Sequence, residues 1–412
     1  MKPEILLHCL AVLVVAGFLF SLLLDYLNLK SHKTELPREF SDLYDQSKYT
    51  QSVDYHRVRW KFGLCSGSFN LIITIVILLT GLYGELDNFL RGFIKESKLL
   101  SMTFFTVVVI FSSLIHLPFE WYDHFVIEEK FGFNKMTIKT FISDKGKGLL
   151  LGALIGLPLL WSFLVLTEKL GNNFWIWFGL IASLFVLLIN LFYTSLLLPL
   201  FNKLTPLQDG DLKNAIMEYS KKVDFPVDNI FVMDGSKRSG KANAFFSGFG
   251  ERKKIVLFDT LIEKHSIGEL VAILAHETGH YKKKHIIIGF ITSVIQIFFM
   301  LWALSLFMSR QELSLALGGK VNAIHLNLIS FGILFSPVSG IAGLASMIFS
   351  RIHEFQADGY AKATSNAADL ISGLKKLSVD NLSNLTPHPL YVFFNYSHPP
   401  VLSRIRRLAE GV

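Results

Sequence analysis

Long apolar runs broken by short polar stretches dominate the chain. Seven of them reach the roughly 20 residues that a helix needs to cross about 30 Å of hydrocarbon: 5–24, 62–84, 99–117, 148–167, 175–198, 286–308 and 326–349. Pro158, Pro199 and Pro337 lie within or at the ends of these runs, where a kink is tolerated if neighbouring helices re-satisfy the freed backbone. The pattern changes over 201–285. Leu212, Ile216 and Tyr219 recur there at helical spacing and predict an amphipathic helix over 211–223. Residues 229–233 read as a short strand, and 242–249 and 254–258 as two more, joined in a hairpin at Gly250–Glu251. A helix follows over 261–280, with a break signalled near 266–268. The pattern therefore predicts a mainly α membrane protein with seven transmembrane helices and a small α+β domain.

Composition fits that reading. The 412 residues are 51% hydrophobic, more than a soluble enzyme of this size needs. The net charge of +7 is unevenly placed: most of the basic residues fall in 29–61, 117–147, 199–285 and the tail after Ser350. Residues 1–4, 85–98, 168–174 and 309–325 carry few. The positive-inside rule then puts the N-terminus outside, and the 201–285 segment and the tail in the cytosol. Basic loops so placed suit anionic lipid headgroups and do not call for nucleic acid. Cys9 and Cys65 fall in apolar segments, which argues against a disulfide framework or a thiolate metal site. No small-x-small cleavage site follows the first run, so it reads as a retained anchor.

The chemistry concentrates in Val271–Tyr281. His276 and His280 are four residues apart, one turn above each other on one helical face. Two neutral imidazoles so placed can close on one zinc ion, with Glu277 between them as general base. The alternative is a pair of satisfied core histidines. A zinc protease site needs a third protein ligand and an open fourth position. The sixth and seventh runs form a helical hairpin that returns the chain to the same face of the membrane. It ends in Arg351-Ile-His-Glu-Phe-Gln-Ala-Asp358, where Glu354 and Asp358 share a face. One carboxylate can bind the metal while the other accepts the distal N–H of a ligand histidine. His353 points to a different face and ranks below Glu354. His398, pinned before Pro399 and Pro400, can donate to a developing oxyanion. A free edge over 241–247 can hold a peptide by strand addition, with Asn243 best placed to orient it.

These residues resemble a known family. His276-Glu-Thr-Gly-His280, Glu354-Phe-Gln-Ala-Asp358 and Tyr396-Ser-His-Pro-Pro400 are similar to the motifs of the type I CAAX prenyl proteases, membrane-integrated zinc endopeptidases. The likeness extends to Lys241-Ala-Asn-Ala-Phe245, to 125–137 and to 36–49, and so covers nearly the whole chain. It implies one zinc ion held by His276, His280 and Glu354, with Glu277 as general base and Asp358 behind a ligand histidine. It also implies that His398 steadies the tetrahedral intermediate, and that Asn243 and Ala244 meet the substrate backbone. The implied fold is a ring of seven helices around a chamber, with the catalytic domain at the cytosolic end. The implied reaction removes the last three residues of isoprenylated Cys-a-a-X proteins. A monomer in a bacterial inner membrane or an endoplasmic-reticulum equivalent is expected, with prenylated protein and membrane lipid as partners. The loop 309–325 is short and the tail ends soon after the His-Pro-Pro motif, a compact form like that of prokaryotic members.

Four units follow: 1–200 with five membrane helices, 201–285 as the protease domain, 286–350 as a two-helix hairpin and 351–412 as the cytosolic tail. Two other readings stay open, a membrane quality-control protease of broad specificity and a transporter or channel with a structural zinc. Asn70, His116, Glu120, Asn190, Gln296 and Asn327 lie in or beside the spans and suit a wet interior or interhelical hydrogen bonds. Glu120, Asp123 and His124 are read as packing contacts with the cytosolic domain rather than a second metal site.

Overall fold

The structure, a computed structural model, describes residues 2–225, 230–247 and 254–410. Six stretches are helical, long and apolar enough to cross a membrane. They contain α1 (Pro3–Ser31), α2 (Gln46–Thr80), α3 (Ser97–Tyr122), α4 (Ile138–Leu170) with α5 (Phe174–Phe192), α8 (His285–Ser305) and α9 (Ile324–Thr364). The fourth stretch supplies two crossings, because α4 and α5 turn back on each other at Gly171, whose φ of +53° suits a residue without Cβ. Seven crossings result, as the apolar pattern predicts. Several of these helices overrun their apolar cores. Helix α2 starts at Gln46 instead of residue 62, with Asp45 accepting from Lys48 N at its N-cap. Helix α9 continues without a break from the membrane to Thr364, so the last crossing and the two carboxylates share one rod of 41 residues.

Between α5 and α8 lies the small domain: β1 (Leu204–Pro206), α6 (Asp211–Lys222), β2 (Ile230–Met233), β3 (Ala244–Ser247), β4 (Lys254–Phe258) and α7 (Ile267–Lys282). The sheet order is β1-β2-β4-β3. Strand β4 is central and pairs parallel to β2, with Ile230 opposite Ile255, and antiparallel to β3, with Ala244 opposite Leu257. Its Ile255-Val256-Leu257 run is buried throughout, as a strand covered on both faces requires. Strand β1 was not foreseen. It is short, lies at an edge and ends in Pro206, which an edge tolerates. Asn229, the Gly250–Glu251 turn and Gly248–Phe249 of the expected strand lie outside the described residues.

Helix α7 is set at the centre of the domain core. Leu270, Ile273 and Leu274 pack with Ile216 of α6, Leu257 of β4, and Leu370 and Leu374 of α10 (Ala367–Asp380). Its start is fixed by a capping box. Ser266 accepts from Glu269 N while the Glu269 carboxylate accepts from Ser266 N, an arrangement whose loss costs about 1 kcal/mol. The helical turn before it, Asp259–Lys264, stays separate, so the break expected near 266–268 falls at His265–Ser266. The chain closes with α11 (Val401–Ala409), packed beside α9 and α10.

Of the polar groups in and beside the spans, Asn327 is buried and bonded to Ser314, Asn322 and the Met308 carbonyl, and Gln296 donates to Ser346. Asn70 and His116 line a cavity of about 340 Å³ between α2 and α3. Glu120 pairs with Lys145, Asp123 with Arg59, and the His124 ring packs edge-on against Phe141. These partners belong to α2 and α4, so the trio ties crossings together instead of packing on the small domain as the sequence predicts.

Candidate metal centre

Helices α7 and α9 cross where α7 carries Gly279. A Cβ there would stand 2.9 Å from Ala357 Cα and 3.0 Å from the Ala357 carbonyl, so only glycine permits this approach. It brings the two histidines of α7 against Glu354 of α9. His276 Nε2 and His280 Nε2 are 3.2 Å apart. Glu354 Oε2 lies 3.4 Å from the first, and its Oε1 lies 3.2 Å from the second. Tetrahedral ligands at zinc distances of 2.0–2.1 Å sit about 3.3 Å from one another. The triangle therefore has the right dimensions, and the donor set of two imidazoles and a carboxylate suits zinc. Among the described residues this is the one group of three or more such side chains able to hold a metal ion.

The atoms behind the triangle aim it. His276 Nδ1 is 2.9 Å from Asp358 Oδ1, so its N–H donates there and the Nε2 lone pair faces inward. Asp358 is itself gripped by Arg404 of α11, Nε to Oδ2 at 2.8 Å and Nη2 to Oδ1 at 2.6 Å. Arg404 Nη1 also reaches within 3.4 Å of Glu354 Oε2. His280 Nδ1 is 3.0 Å from His285 Nδ1, and His285 Nε2 is 2.8 Å from Gln356 Oε1. With His280 Nε2 turned to the cluster, the protons run in one direction: His280 donates to His285, and His285 to Gln356. His353 stacks on His285 with ring centroids 3.9 Å apart, off the triangle as its helical face predicts.

Electrostatics agree with a cation at this point. Burial would lower the His276 pKa, but its bonds to Asp358 and Glu354 outweigh that and raise it to about 9. The surroundings favour positive charge. Burial pushes the Glu277 carboxyl above the usual carboxylate range, against the pull of His276 and His280, which makes it a better proton acceptor near neutrality. Glu277 opens on a cavity of about 620 Å³ shared with His276, His280, Glu354, Asn243 and His398.

The remaining expected residues are at the rim. His398 is exposed, with Nδ1 3.5 Å from Glu354 Oε1. Asn243 and Ala244 line the cavity where β3 begins, and β3 is the outer strand of the sheet, with a free edge. Asn243 Oδ1 accepts from Ala244 N at 2.9 Å, leaving its amide N–H groups available. Sequence reasoning brought all of these together. It missed Arg404, which sits among Arg406 and Arg407 in what looks like an ordinary basic amphipathic tail. It also missed His285 and Gln356. Spacing gave no signal for them: Gln356, two residues after Glu354, lies off its helical face, and His285 lies beyond the left-handed Lys284 that separates α7 from α8.

Comparison with known proteins points the same way. Residues 25–203 match the family described as CAAX prenyl protease N-terminal, five membrane helices, and residues 206–412 match peptidase family M48. CAAX prenyl protease 1 of Saccharomyces cerevisiae is 34% identical, over 96% of this chain and 93% of its own length. The CAAX prenyl protease 1 homolog of Homo sapiens is 33% identical, over 91% of this chain and 89% of that one. The crystal structure of S. mikatae Ste24p superposes with a TM-score of 0.93 at 32% identity, covering 99% of each chain.

Proposed function

The chain belongs to peptidase family M48, in its CAAX prenyl protease branch, and from that premise we propose a zinc-dependent endopeptidase that trims the last three residues from isoprenylated Cys-a-a-X proteins. It is a multi-pass membrane metalloprotease. The observation that carries the finer reading is the triangle of His276, His280 and Glu354 with Glu277 beside it on a cavity. His276, His280 and Glu354 would hold a zinc ion there, which would polarise a carbonyl and acidify a water. The chain does the rest. The free edge of β3 pairs with an extended peptide, and the Asn243 amide donates to a peptide carbonyl. Glu277 takes the proton from the attacking water and returns it to the leaving nitrogen. His398 donates to the oxyanion as it forms. Arg404 holds Asp358 and Asp358 holds His276, which keeps that imidazole in the tautomer the ligand role needs.

A transporter with a structural zinc gives no purpose to Glu277, a carboxylate beside the triangle and facing the cavity. The proposed boundaries at 200 and 285 set the five crossings, the protease domain and the hairpin apart, whereas the one expected at 350 falls inside α9, which joins hairpin and tail as one helix. The distribution of basic residues supports a cytosolic active site, and the chain acts as a monomer. The test compares a farnesylated Cys-a-a-X peptide with its unprenylated twin, with and without phenanthroline. Cleavage of the farnesylated peptide alone, abolished by the chelator, is expected. Equal cleavage of both peptides would replace the prenyl reading with a broad quality-control protease.

A further inference from the structure

The peptide-binding edge starts at Asn243–Ala244, and its position is fixed by the residues just before it. Three other parts of the chain grip that lead-in. Gly240 N donates to the Phe133 carbonyl at 2.9 Å, Lys135 N donates to the Arg238 carbonyl at 3.1 Å, and Asn134 bridges Ser239 in antiparallel fashion. Ala242 N donates to Asn381 Oδ1 at 3.3 Å, and Thr260 Oγ1 donates to the Lys241 carbonyl at 3.0 Å. One charged strut joins them. Lys241 Nζ donates to Glu128 Oε2 at 2.8 Å and to Tyr55 Oη at 3.2 Å, while Tyr55 donates to Glu128 Oε1 at 2.6 Å. The ammonium also stands 4.4 Å from the centroid of the Phe133 ring.

Glu128 is buried and closes a π-type turn, Asp123–Glu128, at the end of α3. Such turns insert an extra residue and re-aim the side chains that follow, commonly at functional sites. The turn runs into the 125–137 stretch singled out in the sequence, which contains Glu128 and which the hydrolytic machinery leaves unused. We propose that Glu128 is a positioning residue for peptide cleavage: acting through Lys241, it sets the start of β3, and with it the level at which a bound peptide's scissile bond meets Glu277. This rests on the reading that the peptide pairs with β3. Charge-assisted hydrogen bonds are about twice as strong as neutral ones, so this strut outweighs the neutral ties from Asn381 and Thr260; farther back, Arg238 is held by a bidentate pair with Asp144. A shift of about 1 Å in the position of the reacting groups can cost roughly a hundredfold in rate.

The experiment compares Glu128→Gln, Lys241→Met, the double variant and Lys241→Arg with wild type, on the farnesylated peptide and its unprenylated twin. Metal content, kcat and KM are read for each. Glu128→Gln and Lys241→Met should each lower kcat about tenfold, with metal content unchanged and KM little altered. The double variant should be no worse than the poorer single one, and Lys241→Arg should recover most of the loss. An unchanged kcat, multiplying effects in the double variant, or a loss that tracks the folded fraction would overturn the proposal. Should Glu128→Gln fail to fold, Lys241→Met and Lys241→Arg decide it from the other partner. If wild type cleaves both peptides equally, the prenyl reading fails, while the kcat comparison on either peptide still tests Glu128.

Discussion

Helix α9 carries a histidine–carboxylate cluster at each end, and the two have opposite fates. Near its N-terminus His325 Nε2 bonds Asp87 Oδ1 at 2.9 Å, and His325 Nδ1 meets Ser101 Oγ at 3.0 Å. Asp87 Oδ2 accepts from Arg91 Nε at 2.8 Å. Asp87 is 0% exposed, His325 1% and Ser101 2%. The order serine, histidine, aspartate looks like a nucleophile array, yet both ring nitrogens of His325 are committed and Ser101 Oγ also donates to the Ser97 carbonyl. Nothing is left to face a substrate. At the other end, His276 and His280 each commit Nδ1 to a partner and keep Nε2 for a shared point. Residue types alone do not make a site. What makes one is a set of unfilled donor atoms converging on a cavity.

The comparison is sharpened most by removing the proton acceptor. Glu277→Gln should keep the metal, by elemental analysis, and lose at least about a thousandfold in turnover; substantial residual cleavage would remove Glu277 from its role. Glu354→Ala takes away a corner of the triangle, and the purified protein should lose its metal and its activity together. Asp358→Asn leaves the triangle intact but weakens the grip on His276, and chelator competition should show metal affinity lower by about 10- to 100-fold. At the far end, His325→Ala leaves buried Asp87 short of one partner. It should lower stability by about 3 kcal/mol, seen as a lower melting temperature in detergent, with metal content and KM unchanged. A change in metal content or KM there would break the contrast between the two ends.

Much of the near end was legible in the sequence because helical spacing is a strong rule. The i, i+4 pairs His276/His280 and Glu354/Asp358 announce their faces, and the hairpin of the last two crossings says which side of the membrane they share. The far end was harder to read. Asp87, Ser101 and His325 come from three separated segments and carry no common spacing, so only the packing of α3, α9 and the short helix Leu82–Phe93 joins them. Arg404 was hidden for a similar reason: a surface-like helix supplies it, and only the docking of α11 on α9 turns it inward. The sheet order was out of reach as well, since the parallel pairing of β2 with β4 depends on contacts that alternation within each strand does not encode.

The missing methyl at Gly279 has one more consequence. Because main chain rests on main chain at the crossing with Ala357, the scaffold itself sets the gap between the imidazole-bearing and carboxylate-bearing helices. Small zinc domains lose their shape when stripped of the ion. Here the crossing predicts the opposite: demetallation should be reversible, with the metal reloaded in place without passing through the unfolded chain.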